Sequence, residues 1–156
     1  MPGQYPQPMK ALAALLSETN WNTARSAISL TTPYPSVTSV VDTDRPRPRV
    51  SDRTPAATGH DSVLLAGLEG GGRLRSQPLE FEDYEHPVDI IIRTDVDQDR
   101  LDQLYWIVAK ILKTYARSPG TGYDHVNWDG APKNLSRGGL WKYSWVVRLS
   151  GDYRSA

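Results

Sequence analysis

The strongest constraint on the fold is the segment from residue 88 to residue 117, where a strand pattern runs directly into a helix pattern. Residues 88–94 are rich in β-branched side chains, which favour strands. Apolar residues then recur at helical spacing, namely Leu101, Leu104, Tyr105, Val108, Ile111, Leu112 and Tyr115. The segment therefore predicts a strand followed by a helix that packs one face on a sheet.

The ends of this helix carry the charges that its dipole favours. Acidic residues stand at its amino end and basic residues at its carboxyl end: Asp95, Asp97, Asp99 and Asp102, then Lys110, Lys113 and Arg117. Pro119 and Gly120 follow and are typical of a helix stop. We therefore expect one well-capped helix that carries the stripe from Leu101 to Tyr115 and stops at residues 118–120.

Weaker patterns predict the elements before this segment. Residues 1–8 hold three prolines and should form an extended tail. Residues 9–17 predict a short helix that stops at Asn20, with Trp21 at the edge of the core, and residues 24–31 fit either a helix or a strand. Strands are expected at 36–41, at 62–66 and within 74–84, and His86-Pro87 should separate the last of these from the central strand.

The clearest strand pattern closes the chain at residues 141–149. One alternate set of side chains is aromatic or aliphatic and should face the core: Trp141, Tyr143, Trp145, Val147 and Leu149. The other set contains Lys142 and Arg148, which should give the strand a basic outward face. Residues 120–132, between the helix and this strand, predict a polar turn.

These elements predict an α+β fold in a single domain over residues 9–156, with a mixed or antiparallel β-sheet and two or three helices packed on one face. A chain of 156 residues is long enough to bury one core.

Its 18 basic and 18 acidic residues cancel, so no net charge draws it to nucleic acid or to an anionic membrane. No apolar run approaches the ~20 residues of a membrane-spanning helix.

Catalytic and metal-binding patterns are weak. The absence of cysteine excludes thiol chemistry, disulfides and cysteine-bound zinc. Asp124, His125 and Asp129 form the one cluster that could act as ligands or as an acid–base set, but their spacing matches no metal or catalytic motif. We therefore expect no enzyme activity, no cofactor and no metal, and interpret that cluster as part of the polar turn.

Residues 44–60 form an arginine- and proline-rich loop with almost no apolar side chains. Its basic residues are Arg45, Arg47, Arg49 and Arg53. One interpretation is a solvated loop. The other is an arm that a neighbouring subunit or another partner orders, because guanidinium groups make bidentate contacts at interfaces. Together with Lys142 and Arg148 it could also contact phosphates non-specifically, although no nucleic-acid reader motif is present.

The order of these parts resembles the tail terminator (tail completion) proteins of long-tailed double-stranded DNA viruses, including the lambdoid type. The resemblance covers residues 9–154 and is carried by Val-Asp-Ile-Ile-Ile at 88–92, Leu-Asp-Gln-Leu-Tyr at 101–105, Gly-Tyr-Asp at 122–124 and Gly-Leu-Trp at 139–141 before the alternating strand. The arginine- and proline-rich insertion at 44–60 departs from that family's compact pattern.

The resemblance implies a structural protein of the virion, assembled in the host cytoplasm as a hexameric ring. Such a ring ends the tail tube and joins the tail to the head or neck. Its implied partners are further copies of itself, the major tail tube protein and a head-completion or neck protein, with non-specific contact to DNA in the lumen.

Trp106 and Ile107 lie off the apolar seam of the predicted helix, which suits a contact between subunits. A second core face is the alternative explanation for both. Two other functions also stay open. One is a different neck component, namely a head-completion or adaptor protein with another ring number. The other is a small α/β binding module with no role in a virion.

Overall fold

The computed structural model describes residues 8–40, 61–67, 73–76, 81–117, 119, 123–128 and 130–154. These form three helices, α1 (Pro8–Leu15), α2 (Glu18–Ala27) and α3 (Gln98–Thr114). The same described residues form seven strands: β1 (Ser36–Val40), β2 (Ser62–Gly67), β3 (Arg73–Ser76), β4 (Phe81–Thr94), β5 (His125–Trp128), β6 (Lys133–Asn134) and β7 (Trp141–Arg154).

The strands form one mixed sheet in the order β1-β2-β4-β7-β5, with β3 paired to β4 and β6 paired to β7. Strands β1 and β2 are parallel and the other pairs are antiparallel. The three helices share one core with alternate residues of β2, β4 and β7, which places them on the same face of the sheet. The predicted α+β class is confirmed.

Strands β4 and β7 form the centre of the sheet and pair continuously from Phe81 opposite Arg154 to Thr94 opposite Trp141. Ile90 faces Trp145 and Val88 faces Val147 across this ladder, and all four are buried in the core. The predicted aromatic and aliphatic face of β7 therefore does pack inward.

Helix α3 matches its prediction closely. Asp97 is the N-cap residue, and its side chain accepts a hydrogen bond of 2.8 Å from the backbone N–H of Arg100. The predicted seam residues Leu101, Leu104, Val108, Ile111 and Leu112 are all buried. Periodicity and capping chemistry thus positioned this helix correctly.

The region after α1 differs from the prediction, because Asn20 lies inside a second helix instead of ending the first. Ser17 caps α2 by accepting a hydrogen bond from the N–H of Asn20, and the Asn20 side chain donates to the carbonyl of Leu15 across the junction. Trp21 is fully buried, and its indole N–H donates to the carbonyl of Thr32 at 3.0 Å. A serine cap therefore restarts the helix where the pattern indicated a stop.

The prediction that Pro87 separates two strands is also wrong, since β4 runs through it. Pro87 pairs with Arg148 of β7 on one side. On the other side, Glu85 is the last residue paired to β3 and Val88 is the first paired to β2. The proline thus stands between two ladders, where its missing N–H interrupts neither of them.

The expected polar turn at 120–132 contains a short strand. Strand β5 pairs with β7, from His125 opposite Ser150 to Trp128 opposite Val147. Within β5, Val126 is buried and His125 is exposed. The alternation is too short to distinguish from a loop by sequence, and pairing with the edge of β7 makes it a strand.

Candidate interaction surface

The outward side of α3 exposes a large aromatic side chain, that of Trp106. Trp106 is 56% exposed, which is a large exposed fraction for an aromatic ring on a helix. Asp99, Trp106, Lys110 and Lys113 follow one another along this side and are called here the outer stripe. They lie opposite the buried seam of α3, since residues spaced by three, four or seven share a helix face.

An open cleft of about 410 Å³ lies beside Trp106, between α3 and the end of α2. We call it the Trp106 cleft; it is lined by Ile28, Leu30, Trp106, Ala109, Lys110 and Lys113. Its lining combines apolar side chains with two ammonium groups. Such a cleft fits an occupant with an apolar group and carboxylates, because both features would be matched at once.

The backbone after α2 builds one wall of this cleft. Ser29 adopts a left-handed conformation with φ of 57°. The N–H of Leu30 donates to the carbonyl of Arg25 at 2.8 Å, and the N–H of Ser29 donates to the carbonyl of Ser26 at 3.2 Å. These two bonds form a Schellman motif, which usually has glycine at the left-handed position. The turn places Leu30 back beside Ile28, so both contribute to the wall.

The amino end of α3 carries the opposite charge. Asp95, Val96, Asp97 and Asp99 are exposed, and Val96 retains 50% of its surface. Behind them, Asp61 pairs with Arg100 at 3.1 Å and accepts a hydrogen bond of 2.7 Å from the hydroxyl of Thr94. This anchoring holds the acidic turn against β2 and β4. The long axis of α3 therefore runs from an acidic end to a basic, apolar cleft.

The structure separates the two residues that the sequence grouped as an interface. Trp106 is exposed as expected, but Ile107 is fully buried in the core, so its assignment to the interface is wrong. Helix α2 packs on this flank of α3, and Ile107 shares the core with Trp21 and Ala24 of α2. The second core face therefore explains Ile107, and the interface interpretation remains only for Trp106.

The basic outward face predicted for β7 is also wrong at Lys142. Its side chain is only 6% exposed, and burial lowers the pKa of its ammonium group, with nearby Arg93 lowering it further. Arg148 is half-buried. Asp89, Arg93 and Ser144 on the same face of the sheet are buried too, and the Ser144 hydroxyl donates to the carboxylate of Asp89 at 2.8 Å. The alternating pattern identified the apolar face of β7, but it could not show that side chains on the opposite, polar face are buried too.

The histidine cluster gains no support as a site. Asp124 and His125 are exposed at the start of β5, and Asp129 lies outside the described residues. Within the described part of the chain, no group of three or more histidine, aspartate or glutamate side chains is placed to hold a metal ion. Among the same residues, no helix is long and apolar enough to cross a membrane.

The four interface candidates of the arginine- and proline-rich loop, Arg45, Arg47, Arg49 and Arg53, lie outside the described residues. The Trp106 cleft was not predicted from the sequence. Its only sequence signals are an exposed tryptophan position off the helix seam and two lysines one turn apart.

Comparison with known proteins finds no matching family model and no matching curated protein.

Proposed function

We propose that this protein is a structural component of a virion, of the tail terminator type. In this proposal it forms a homohexameric ring that ends the tail tube and joins the tail to the head or neck. The single observation that carries the proposal is the exposed Trp106 beside an apolar, lysine-rimmed cleft. Such a surface suits contact between copies better than it suits solvent.

The order of elements supports the same proposal. The chain runs from short helices through three short strands to a long central strand, a capped helix and a closing strand rich in tryptophan. That is the order on which the resemblance to tail terminators depends. Fold alone supports many functions, so the order adds weight only together with the interaction surface.

The charge distribution of α3 is compatible with a ring built from identical subunits. In a ring, each subunit presents a surface that its neighbour complements, and closure requires no other protein. One copy offers an acidic end with an exposed Val96, and another offers the Trp106 cleft with Lys110 and Lys113. The proposed outside partners are the major tail tube protein below the ring and a head-completion or neck protein above it, with DNA passing through the lumen.

Electron microscopy of virions tests the proposal. Antibody against the full chain should label particles at the junction of tail and head, and image averaging should show a ring of six copies there. Label on another part of the particle, or none, would overturn the structural role. A ring with a different number of copies would assign the protein to another neck component.

A matched pair of variants tests whether the Trp106 surface serves this assembly. Trp106→Glu should abolish ring formation on tail tubes, because a carboxylate replaces the exposed indole in the cleft. Leu135→Glu is the control, since Leu135 is 43% exposed but lies away from α3, near β6. Equal effects of both substitutions would show that the Trp106 surface has no special part in the ring.

A further inference from the structure

Two charges of the outer stripe, those of Asp99 and Lys113, are placed symmetrically about Trp106. Helix α3 runs from Gln98 to Thr114, so Trp106 is its middle residue. Asp99 lies seven residues before it and Lys113 seven residues after it. Seven residues are about two helical turns, or a rise of ~10 Å, so the three side chains share one face. The face is acidic at one end, apolar in the middle and basic at the other end.

A surface with this order is complementary to a second copy of itself. A two-fold rotation about an axis perpendicular to α3 and beside Trp106 turns one α3 antiparallel to the other. It brings Asp99 of each copy opposite Lys113 of the other, so the ion pair forms twice.

We propose that a second copy of this chain docks antiparallel on the outer stripe and forms a two-fold dimer. In this dimer Trp106 of each copy covers the Trp106 cleft of the other, so the exposed indole and the apolar walls at Ile28 and Leu30 are removed from water together. The cleft suits an apolar group with an acid nearby, and the outer stripe supplies both in Trp106 and Asp99. This mutual fit identifies the occupant as another copy.

The contact is small and partly charged, so it belongs to the weak class of interfaces that form at high protein concentration and weaken with salt. The dimer itself does not rest on the proposed function, because it needs no tail tube. One consequence does rest on it. A dimer would cover the surface that the proposed ring uses, and would hold back ring closure until a tube end competes for that surface.

Charge-swapped variants of the full chain test the dimer. Asp99→Lys makes both residues of the proposed pair basic, and Lys113→Asp makes both acidic. Each variant alone should dimerise at least tenfold more weakly than wild type, since two attractive contacts become repulsive. An equimolar mixture should recover the wild-type affinity, because the introduced lysine of the first variant meets the introduced aspartate of the second, and the native pair forms at the other end. Sedimentation velocity over a concentration series measures all three samples.

The controls separate this outcome from the alternatives. Lys133→Asp changes an exposed lysine of β6 and should leave dimerisation unchanged. Circular dichroism should show that every variant is folded. A largest species of twice 17.4 kDa supports the two-fold contact, whereas larger oligomers in the mixture would indicate head-to-tail association and overturn it. A wild-type chain that stays monomeric at every concentration, or a mixture that fails to recover, would also overturn it. Neither result bears on the proposed ring, which the labelling of virions tests separately.

Discussion

Arg93 and Lys142 lie directly opposite each other on β4 and β7, and their side chains are only 4% and 6% exposed. Like charges at opposed positions of an antiparallel pair repel each other. Burial lowers the pKa of both groups, and Arg93 lowers that of Lys142 further, while Asp95 acts in the opposite direction on Arg93. The two central strands therefore place two cationic groups side by side near one end of their ladder, which disfavours the charged form of Lys142.

Lys142→Met should stabilise the protein. Methionine keeps the long side chain but removes the buried charge next to Arg93, and we expect a gain of about 1–2 kcal/mol in the free energy of unfolding. The gain should shrink as pH rises toward 10.5, since a lowered pKa means that the folded wild type loses its proton first and regains stability there. Urea denaturation over a pH series measures both effects. The control is Lys133→Met, an exposed site, and equal stability of both variants would contradict the prediction.

Trp145→Ala should destabilise the fold by ~3–5 kcal/mol, because it empties a large buried site under α3. Trp145 is 5% exposed and its ring meets Tyr105 edge-on at 5.1 Å. Trp145→Phe should cost much less, since the buried indole N–H has no hydrogen-bond partner to lose. Thermal denaturation measures both, with Trp106→Ala as the exposed control. A melting temperature of Trp145→Ala within about 2 °C of wild type would show that this side chain is not part of the core.

The alkaline stability of the protein should depend on Tyr123. Burial raises the pKa of its phenol to about 12, above the ordinary value of 10.0. The unfolded phenol therefore ionises first, and the stabilisation present below pH 10 is lost as pH rises toward 12. Phenylalanine has no phenol to ionise. In Tyr123→Phe, the fall in the free energy of unfolding between pH 10 and pH 12 should therefore be smaller by up to about 2 kcal/mol. The measurement is urea denaturation across this alkaline range, with Tyr143→Phe as a second tyrosine for comparison. An identical pH profile for wild type and Tyr123→Phe would refute it.

Replacing Arg45, Arg47, Arg49 and Arg53 together with serine should leave the stability of the isolated chain within about 0.5 kcal/mol of wild type. One of the two interpretations of this loop is an arm that docks on a neighbouring chain through guanidinium–carboxylate contacts. If that interpretation and the proposed tail terminator function hold, the substitutions should impair joining of heads to tails. Plaque counts after complementation with the variant gene, together with calorimetry of the purified variant, measure both effects. Full infectivity would argue against a docking arm.

Local chemistry explains why α3 could be predicted almost residue by residue. Its seam follows the helical period, and Asp97 at the start satisfies backbone donors that the helix itself leaves unpaired. The inward face of β7 was predictable for a similar reason, because the strand period alone assigns alternate residues to opposite faces. Both features depend on residues close together in the sequence, so no knowledge of the rest of the fold was needed.

The remaining features depended on residues far apart in the chain. Ile107 has the same sequence context whether solvent or the core lies beside it, and only the folded chain shows that it is buried. Lys142 occupies an outward position by alternation, yet the folded chain leaves it 6% exposed and opposite Arg93. The Trp106 cleft likewise exists because the turn at Ser29 brings Leu30 toward α3, which lies far along the chain. The sequence determined periods and caps, whereas burial and proximity were decided by the tertiary structure, because they arise from contacts that no local pattern encodes.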